Sequence, residues 1–255
     1  MIVCKSNEEI KIMSRAGKIV ARVLERIEEV LKAGITTKYL DDIAEEFILR
    51  EGAIPAFKGY VGRISSVPFP SSICVSINEE VVHGIPGKRI VREGDLVSVD
   101  VGVKLDGFYA DATRSFIVGK TTDLVVRLHK ATYEALELAI EKCVVGNRLS
   151  DISHEIERRA IADGFSVVRD FVGHGIGRNM HEEPQILNYG PPGQGPVLKS
   201  GMVFAIEPML NEGGSEVEIL DNMWTVVTKD RKLSCHFEDT VVITKEGPLI
   251  LTRLD

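Results

Sequence analysis

Leu96-Val97-Ser98-Val99-Asp100-Val101-Gly102-Val103-Lys104-Leu105-Asp106-Gly107-Phe108-Tyr109-Ala110-Asp111-Ala112-Thr113-Arg114-Ser115-Phe116 consists of two β-rich arms around Asp106-Gly107, the dipeptide that most favours a two-residue type I′ hairpin turn. With Leu105 facing Phe108, Asp100 falls opposite Thr113, and Asp111 lies two residues along on the same face of the ribbon. The two carboxylates are then diagonal cross-strand neighbours, roughly 7–8 Å apart at their bases and free to converge at their tips. Both are set among Val, Ala and Phe, where an unpaired carboxylate is costly. Two like charges aimed at one spot need a cation between them, or one must hold a proton. The alternative is two solvated aspartates on a polar face, and the rest of the chain has to choose.

Length and composition narrow the classes. At 255 residues the chain can bury a sizeable core as one large domain or two intimate halves. Its 44% hydrophobic and 27% charged content is that of an ordinary soluble protein. A net charge of −7 argues against a nucleic-acid or anionic-membrane surface. Cys4, Cys74, Cys143 and Cys235 are far apart, which fits reduced cytosolic thiols better than a disulfide framework. The first residues carry no apolar signal core, and no run approaches the roughly 20 apolar residues of a membrane span. A cytoplasmic protein is expected.

Outward from the hairpin, the chain shows a plan. Ser6 with Glu9 makes a capping box, and Ile10, Met13, Val20, Val23, Leu24, Ile27 and Leu31 follow at helical spacing until Gly34. A second helix opens near Thr37 and ends at Gly52. Ala53 to Ser72, with Pro55, Pro68 and Pro70, is loop with short extended pieces. Ile73 to Val82 alternates like one strand and runs into a turn at His83-Gly84-Ile85-Pro86-Gly87. After the hairpin, a long helix from about Thr122 to Val145 ends at Gly146, and a shorter one from about Ser150 ends at Gly164. Gly34 and Gly52 stand 18 residues apart, as do Gly146 and Gly164, and the second unit repeats the first at an offset of 112. This positive repeat test predicts a single catalytic domain, 1–255, with an internal pseudo-repeat of about 6–118 and 122–245, two αα-β halves sharing a mixed sheet under the helices.

The second half carries acids of its own. Val203-Phe204-Ala205-Ile206-Glu207-Pro208 is a buried-looking strand interrupted by a charge, and Phe237-Glu238-Asp239-Thr240-Val241-Val242-Ile243 is another. Each half therefore places two acids on adjacent strands, and halves that face each other bring four carboxylates to the axis between them. Gly173-His174-Gly175-Ile176-Gly177 presents an imidazole on permissive backbone. His181 and His83 are within reach of the same cavity. Four carboxylates and one histidine describe an oxygen-rich dinuclear site with two divalent ions roughly 3.5–4 Å apart. Hard ligands with one imidazole suit cobalt, manganese, iron(II) or zinc. That is the equipment of a hydrolase acting on an amide.

Val82-His83-Gly84-Ile85-Pro86, Ser98-Val99-Asp100-Val101-Gly102, Asp111-Ala112-Thr113, Gly173-His174-Gly175-Ile176-Gly177, Ile206-Glu207-Pro208-Met209 and Phe237-Glu238-Asp239-Thr240 together resemble the type I methionine aminopeptidases of bacteria, in the short form without an N-terminal extension. The resemblance runs from about residue 6 to 252 with the motifs in family order. It implies an α+β class and the pita-bread fold, in which two pseudo-symmetric αβ halves enclose the metals around a mixed, mostly antiparallel sheet. It implies Asp100, Asp111, His174, Glu207 and Glu238 as metal ligands, with Asp111 and Glu238 bridging. It implies that His83 and His181 contact substrate and stabilise the tetrahedral intermediate, and that Glu207 shuttles a proton. The activity implied is removal of the N-terminal methionine from nascent proteins and peptides with a small second residue, by attack of a metal-bridging hydroxide on the first peptide bond.

By the same resemblance the methionine pocket comprises Tyr60, Phe69, Cys74, His83 and Trp224. Two departures from the family pattern stand out. Met180 replaces the aromatic common just before the second substrate histidine, which softens that wall, and Val61 to Pro68 lengthen the chain between Tyr60 and Phe69. The expected partners are peptide and nascent-chain N-termini, with transient ribosome association, a monomeric state, and no nucleic acid or membrane. Proline-specific aminopeptidases and dipeptidases share the fold and the five ligands but usually carry a further N-terminal domain. Pita-bread proteins that act as binding modules have lost ligands, whereas all five positions are filled here.

Overall fold

The computed structural model describes residues 2–62 and 65–254. The first half comprises α1 (Asn7–Val30), α2 (Thr37–Arg50), β1 (Ile54–Pro55), β2 (Ile73–Ile77), β3 (Glu80–Val82), β4 (Leu96–Leu105) and β5 (Phe108–Ile117). The second comprises α3 (Asp123–Glu141), α4 (Leu149–Ala162), β6 (Ser166–Val167), β7 (Gly173–Gly175), β8 (Glu182–Ile186), β9 (Val203–Ile206), β10 (Met209–Asn211), β11 (Val217–Ile219), β12 (Val226–Thr228), β13 (Ser234–His236), β14 (Asp239–Thr244) and β15 (Gly247–Ile250). No helix among the described residues is long and apolar enough to cross a membrane.

The hairpin forms in the expected register, with Leu105 paired to Phe108, Asp100 to Thr113 and Gly102 to Asp111. Asp106 and Gly107 take φ of 49° and 84°, the paired positive values whose twist matches that of the strands they join. Alternation then divides β4 and β5 between two jobs. Val97, Val99, Val101, Val103, Ala110 and Ala112 pack against Ala16, Val20, Val23, Leu24 and Ile27 of α1 and Leu40, Ala44 and Ile48 of α2. Ser98, Asp100, Asp111, Thr113 and Ser115 occupy the opposite face, toward the second half. The second half repeats this division. Phe204 and Ile206 of β9 and Val241 and Ile243 of β14 pack under Leu128, Leu136, Ile140, Ile152 and Ile156 of α3 and α4, leaving Ala205, Glu238 and Thr240 toward the first half. Each Leu, Ile or Phe so buried contributes about 1.5–3 kcal/mol.

All pairings among the described strands are antiparallel. They make four sheets, of which the largest are β1-β4-β2 with β5 on β4, and β15-β14-β9-β7-β8. The matched glycines share backbone conformation as well as spacing. Gly34 and Gly146 have φ of 96° and 97°, and Gly52 and Gly164 have 73° and 78°. Gly34 donates its N–H to Val91 O, and Gly146 to Leu198 O, so each helix–helix turn is pinned to its own half in the same way. These pins stop α1 at Val30 and α3 at Glu141, short of the expected ends at Gly34 and Val145, and Val144 and Val145 lie exposed in the turn.

The stretch from Ile73 to Val82, read as one strand, is two. Asn78 takes φ of 60°, and its amide side chain bonds Asp95 and the Leu96 N–H. That turn lets β2 pair with β4 while β3 leaves to pair with β12. Beyond it, His83 sits at φ 58°, a conformation that costs a non-glycine residue on the order of 1 kcal/mol or more. Gly84 follows with no room for a side chain, because a Cβ there would stand 2.1 Å from Val75 O. Gly84→Ala is expected to lower unfolding stability by about 2 kcal/mol, since a backbone carbonyl inside a sheet cannot yield cheaply. Urea denaturation checks this, and an unchanged midpoint would contradict it.

Candidate metal centre and adjoining pocket

The polar faces of the two halves meet around a small group of ligand atoms. Asp111, His174 and Glu238 each offer one atom within 4.8 Å of the others, and all three residues are buried. Asp111 comes from β5, His174 from the middle of β7, and Glu238 from the residue before β14. Glu207, immediately after β9, places Oε1 3.6 Å from His174 Nε2, and Asp111 Oδ2 is 3.7 Å from the same nitrogen. Asp100 is half-buried, with Oδ1 shielded from solvent and without a hydrogen-bond partner.

The electrostatics follow from this crowding. Burial pushes the Asp100, Glu207 and Glu238 carboxyls well above the usual carboxylate range, and the negative charges of their neighbours push them further. Asp111 is raised to about 7 by burial, against hydrogen bonding from Thr240 that favours the charged form. Burial lowers His174 to about 4, so its ring is neutral at physiological pH. Nδ1 lies 2.9 Å from Gly175 O. A carbonyl can only accept, so Nδ1 carries the proton and Nε2 turns a lone pair toward the acids. The residues therefore fit divalent metal. They supply carboxylate oxygens, one correctly tautomeric imidazole and an unsatisfied buried oxygen, and a hard cation answers all three.

His181 and His83 flank this group. The His181 ring lies 4.3 Å from that of His174, and its Nδ1 is 2.8 Å from the Tyr60 hydroxyl. With the hydroxyl donating to Nδ1, a ring proton sits on Nε2. His83 packs edge-on against Phe171 and Trp224 at 5.6 and 5.9 Å, and burial lowers it to about 4.

Phe69, Cys74 and Trp224 form one apolar cluster, bordered by Phe57, Tyr60 and Ile85. Phe69 and Trp224 meet edge-to-face at 5.3 Å. Cys74 of β2 pairs directly with Asp100 of β4, so the cluster begins one strand away from the acids, on the same face. Met180 sits elsewhere, buried with Met13, Ile176 and Val203, and among the described residues only Phe57 and Tyr60 border both clusters. In the longer loop, Arg63 and Ile64 lie outside the described residues. Its base is closed by Phe69 N–H to Tyr60 O and Gly59 N–H to Phe69 O, and Trp224 Nε1 donates to Val67 O.

Three residues that the sequence reading did not select also stand here. His236 is buried with Nε2 unpartnered, 3.8 Å from Glu207 Oε2, and burial lowers it to about 3. Thr113 and Thr240 contact the acids directly. The spacing acid-x-Thr occurs in both halves, at Asp111-Ala112-Thr113 and Glu238-Asp239-Thr240, and is the signal that marks the threonines. His236 ends β13, and nothing in its local sequence marks it.

Residues 11–245 match the model for metallopeptidase family M24. The chain is 52% identical over 254 residues to a methionine aminopeptidase of Clostridium perfringens, with 100% of each covered. It is 50% identical to methionine aminopeptidase 1 of Bacillus subtilis, again with 100% of each covered. A methionine aminopeptidase structure from Thermotoga maritima superposes with a TM-score of 0.96 at 45% identity, covering 100% of both chains. A prolidase from Pyrococcus horikoshii, 23% identical with a TM-score of 0.79, covers 100% of this chain and 65% of its own, and shares the fold alone. The chain therefore belongs to metallopeptidase family M24 and, within it, to the type I methionine aminopeptidases, with the pita-bread fold of two pseudo-symmetric halves.

A pH dependence follows for the metal-free protein. Below pH 6.5 the neutral buried histidines and the raised carboxyls act in opposite directions. Above it the histidines are neutral in folded and unfolded chains alike and drop out. The Asp111 carboxyl, raised to about 7, still holds part of a proton there that the unfolded chain has released, and Asp100, Glu207 and Glu238 are raised in the same direction, so stability falls as pH rises through about 7. Metal-free protein is expected to lose stability as pH rises from 6.5 through about 7, by at most on the order of 1.4 kcal/mol per pH unit for each proton held. Saturating divalent ion should abolish the slope. Denaturation at several pH values, with and without metal, is the check, and a flat metal-free profile would contradict it.

Proposed function

We propose that this enzyme removes the initiator methionine from nascent proteins and peptides whose second residue is small, as a single catalytic domain with the internal repeat 6–118 and 122–245. The observation that carries the reading is the pairing of Cys74 with Asp100, which abuts the apolar cluster of Phe69, Cys74 and Trp224 on the acid group. A methionine side chain in that cluster presents its own amine and carbonyl to the acids and to nothing farther along a peptide. Only the first bond is then in reach.

Asp100, Asp111, His174, Glu207 and Glu238 would hold two divalent ions, with Asp111 and Glu238 shared between them and cobalt, manganese, iron(II) or zinc all compatible with the donors. Such ions supply a Lewis acid for the scissile carbonyl and lower the pKa of a water. The remaining work belongs to the chain. Glu207 accepts the proton of the attacking water and passes it to the leaving amine. His181, its ring proton directed to Nε2 by Tyr60, donates to the oxygen that gains charge. His83 contacts the substrate beside Trp224, and its left-handed backbone is the strained conformation that holds the ring there. Tyr60, Phe69, Cys74 and Trp224 take the methionine side chain, with Met180 acting through the wall that Tyr60 shares with both clusters. The enzyme is proposed to act in the cytoplasm as a monomer, with transient association at the ribosome.

Ligand and stabiliser roles separate in mutants. His181→Ala should lower kcat by about 100- to 1,000-fold with metal content unchanged, whereas His174→Ala should lower metal content. Metal analysis beside steady-state kinetics distinguishes them, and identical behaviour would overturn the assignment.

The substrate itself is tested with Met-Ala-Xaa, Met-Lys-Xaa, Leu-Ala-Xaa and Ala-Pro-Xaa peptides read by mass. Cleavage of the first is expected, with little of the second. Leu-Ala-Xaa should be slower but measurable, since an apolar pocket separates similar side chains by only about 1–3 kcal/mol. Preferred release of alanine from Ala-Pro-Xaa would move the activity to the proline-specific class.

A further inference from the structure

The seam between the halves is a short antiparallel ladder in which side-chain hydroxyls stand in for backbone groups. Thr113 and Glu238 exchange backbone bonds, Glu238 N–H to Thr113 O at 3.0 Å and Thr113 N–H to Glu238 O at 3.3 Å. On either side the ladder continues through hydroxyls. Thr240 Oγ1 donates to Asp111 O at 2.8 Å and accepts the Asp111 N–H at 3.1 Å. Ser115 Oγ donates to His236 O at 2.6 Å and accepts the His236 N–H at 3.4 Å. Asp111, Thr113 and Ser115 thus face Thr240, Glu238 and His236 in strict antiparallel order.

Within this ladder each threonine reaches a carboxylate of the other half. Thr113 Oγ1 donates to Glu238 Oε2 at 2.9 Å, and Thr240 Oγ1 divides its one proton between Asp111 O and Asp111 Oδ1, the latter 3.1 Å away. Each threonine follows an acid of its own half by two residues and contacts the acid of the other half. Both threonines are completely buried, so no water can replace the hydroxyl. We propose that Thr113 and Thr240 form a reciprocal clamp of positioning residues, each orienting the other half's shared carboxylate toward the metal ions, so that metal binding and the docking of the two halves are one coupled event. The proposal rests on the reading of Asp111 and Glu238 as ligands.

The chemistry of the clamp is specific to a hydroxyl. A carboxylate fixed by one hydrogen bond on one oxygen keeps the other oxygen, and its remaining lone pairs, directed into the cluster. Valine has nearly the same shape as threonine and cannot donate, so it preserves packing while freeing the carboxylate to turn. Serine keeps the donor. The clamp is uneven, because Thr113 commits its proton to a carboxylate whereas Thr240 divides one between Asp111 O and Oδ1, so Thr113 should matter more.

The test is calorimetric titration of the chelator-stripped protein with Mn²⁺ alone, with the thermal midpoint recorded in the metal-free and loaded states. Thr113→Val and Thr240→Val should each weaken Mn²⁺ binding by about 10- to 100-fold, and both serine variants should recover most of that loss. The midpoint rise on loading should shrink in the valine variants by more than the metal-free midpoint moves. Should valine prevent folding at either position, Thr→Ala is titrated in the same way. Valine variants that bind Mn²⁺ like the parent, while Asp111→Asn and Glu238→Gln lose it, would overturn the clamp and leave the metal centre standing. Asp111→Asn and Glu238→Gln proteins that bind Mn²⁺ like the parent would overturn the ligand reading and the clamp with it. A drop in metal-free stability with unchanged Mn²⁺ affinity would reduce the threonines to packing.

Discussion

Four carboxylates brought together at the seam between two halves repel one another, and everything else in this structure is arranged around that fact. Coulomb repulsion between like charges at such separations amounts to several kcal/mol even at an effective dielectric of about 20. Folding without a cation therefore requires proton uptake, and the raised values of Asp100, Asp111, Glu207 and Glu238 express that requirement. A divalent ion removes it. The two layers of helices supply the apolar burial that offsets the repulsion, each half contributing a complete hydrophobic core of its own. The cores make the seam rigid, and the seam makes the cores into an enzyme.

Position along the strands also sets the division between chemistry and selectivity. β4 carries Asp100 at its centre, with β5 and its Asp111 on one side and β2 and its Cys74 on the other. The apolar cluster of Phe69, Cys74 and Trp224 is thereby one strand spacing, about 4.8 Å, from the acids. His83 reaches the same place by a different route, from a left-handed residue between β3 and a glycine that tolerates no side chain. Its ring packs edge-on against Trp224 and Phe171, and burial keeps it uncharged at neutral pH.

Much of this was legible in the sequence, for reasons that differ from element to element. Asp106-Gly107 determines hairpin register because both residues accept positive φ, and register with period two places Asp100 and Asp111 on one face without further information. The glycine spacing exposed the two halves because each turn needs the same left-handed residue at the same place. Asn78 escaped notice because its turn depends on a side-chain bond to Asp95 and Leu96, a tertiary contact that local alternation does not report. His236 was missed for the same reason: its relation to Glu207 exists only once β9 and β13 are brought together. Met180 lies next to His181 in sequence, yet it packs with Met13 and Val203 instead of Trp224.

We propose that the seam holds metal between Asp111 and Glu238. Crystals grown with Mn²⁺ and measured for its anomalous scattering test this most directly. Two peaks are expected, enclosed by Asp100, Asp111, His174, Glu207 and Glu238, with the Asp111 and Glu238 carboxylates touching both. Anomalous signal confined to surface carboxylates, or a seam with the four acids ordered and no cation among them at saturating Mn²⁺, would contradict the account.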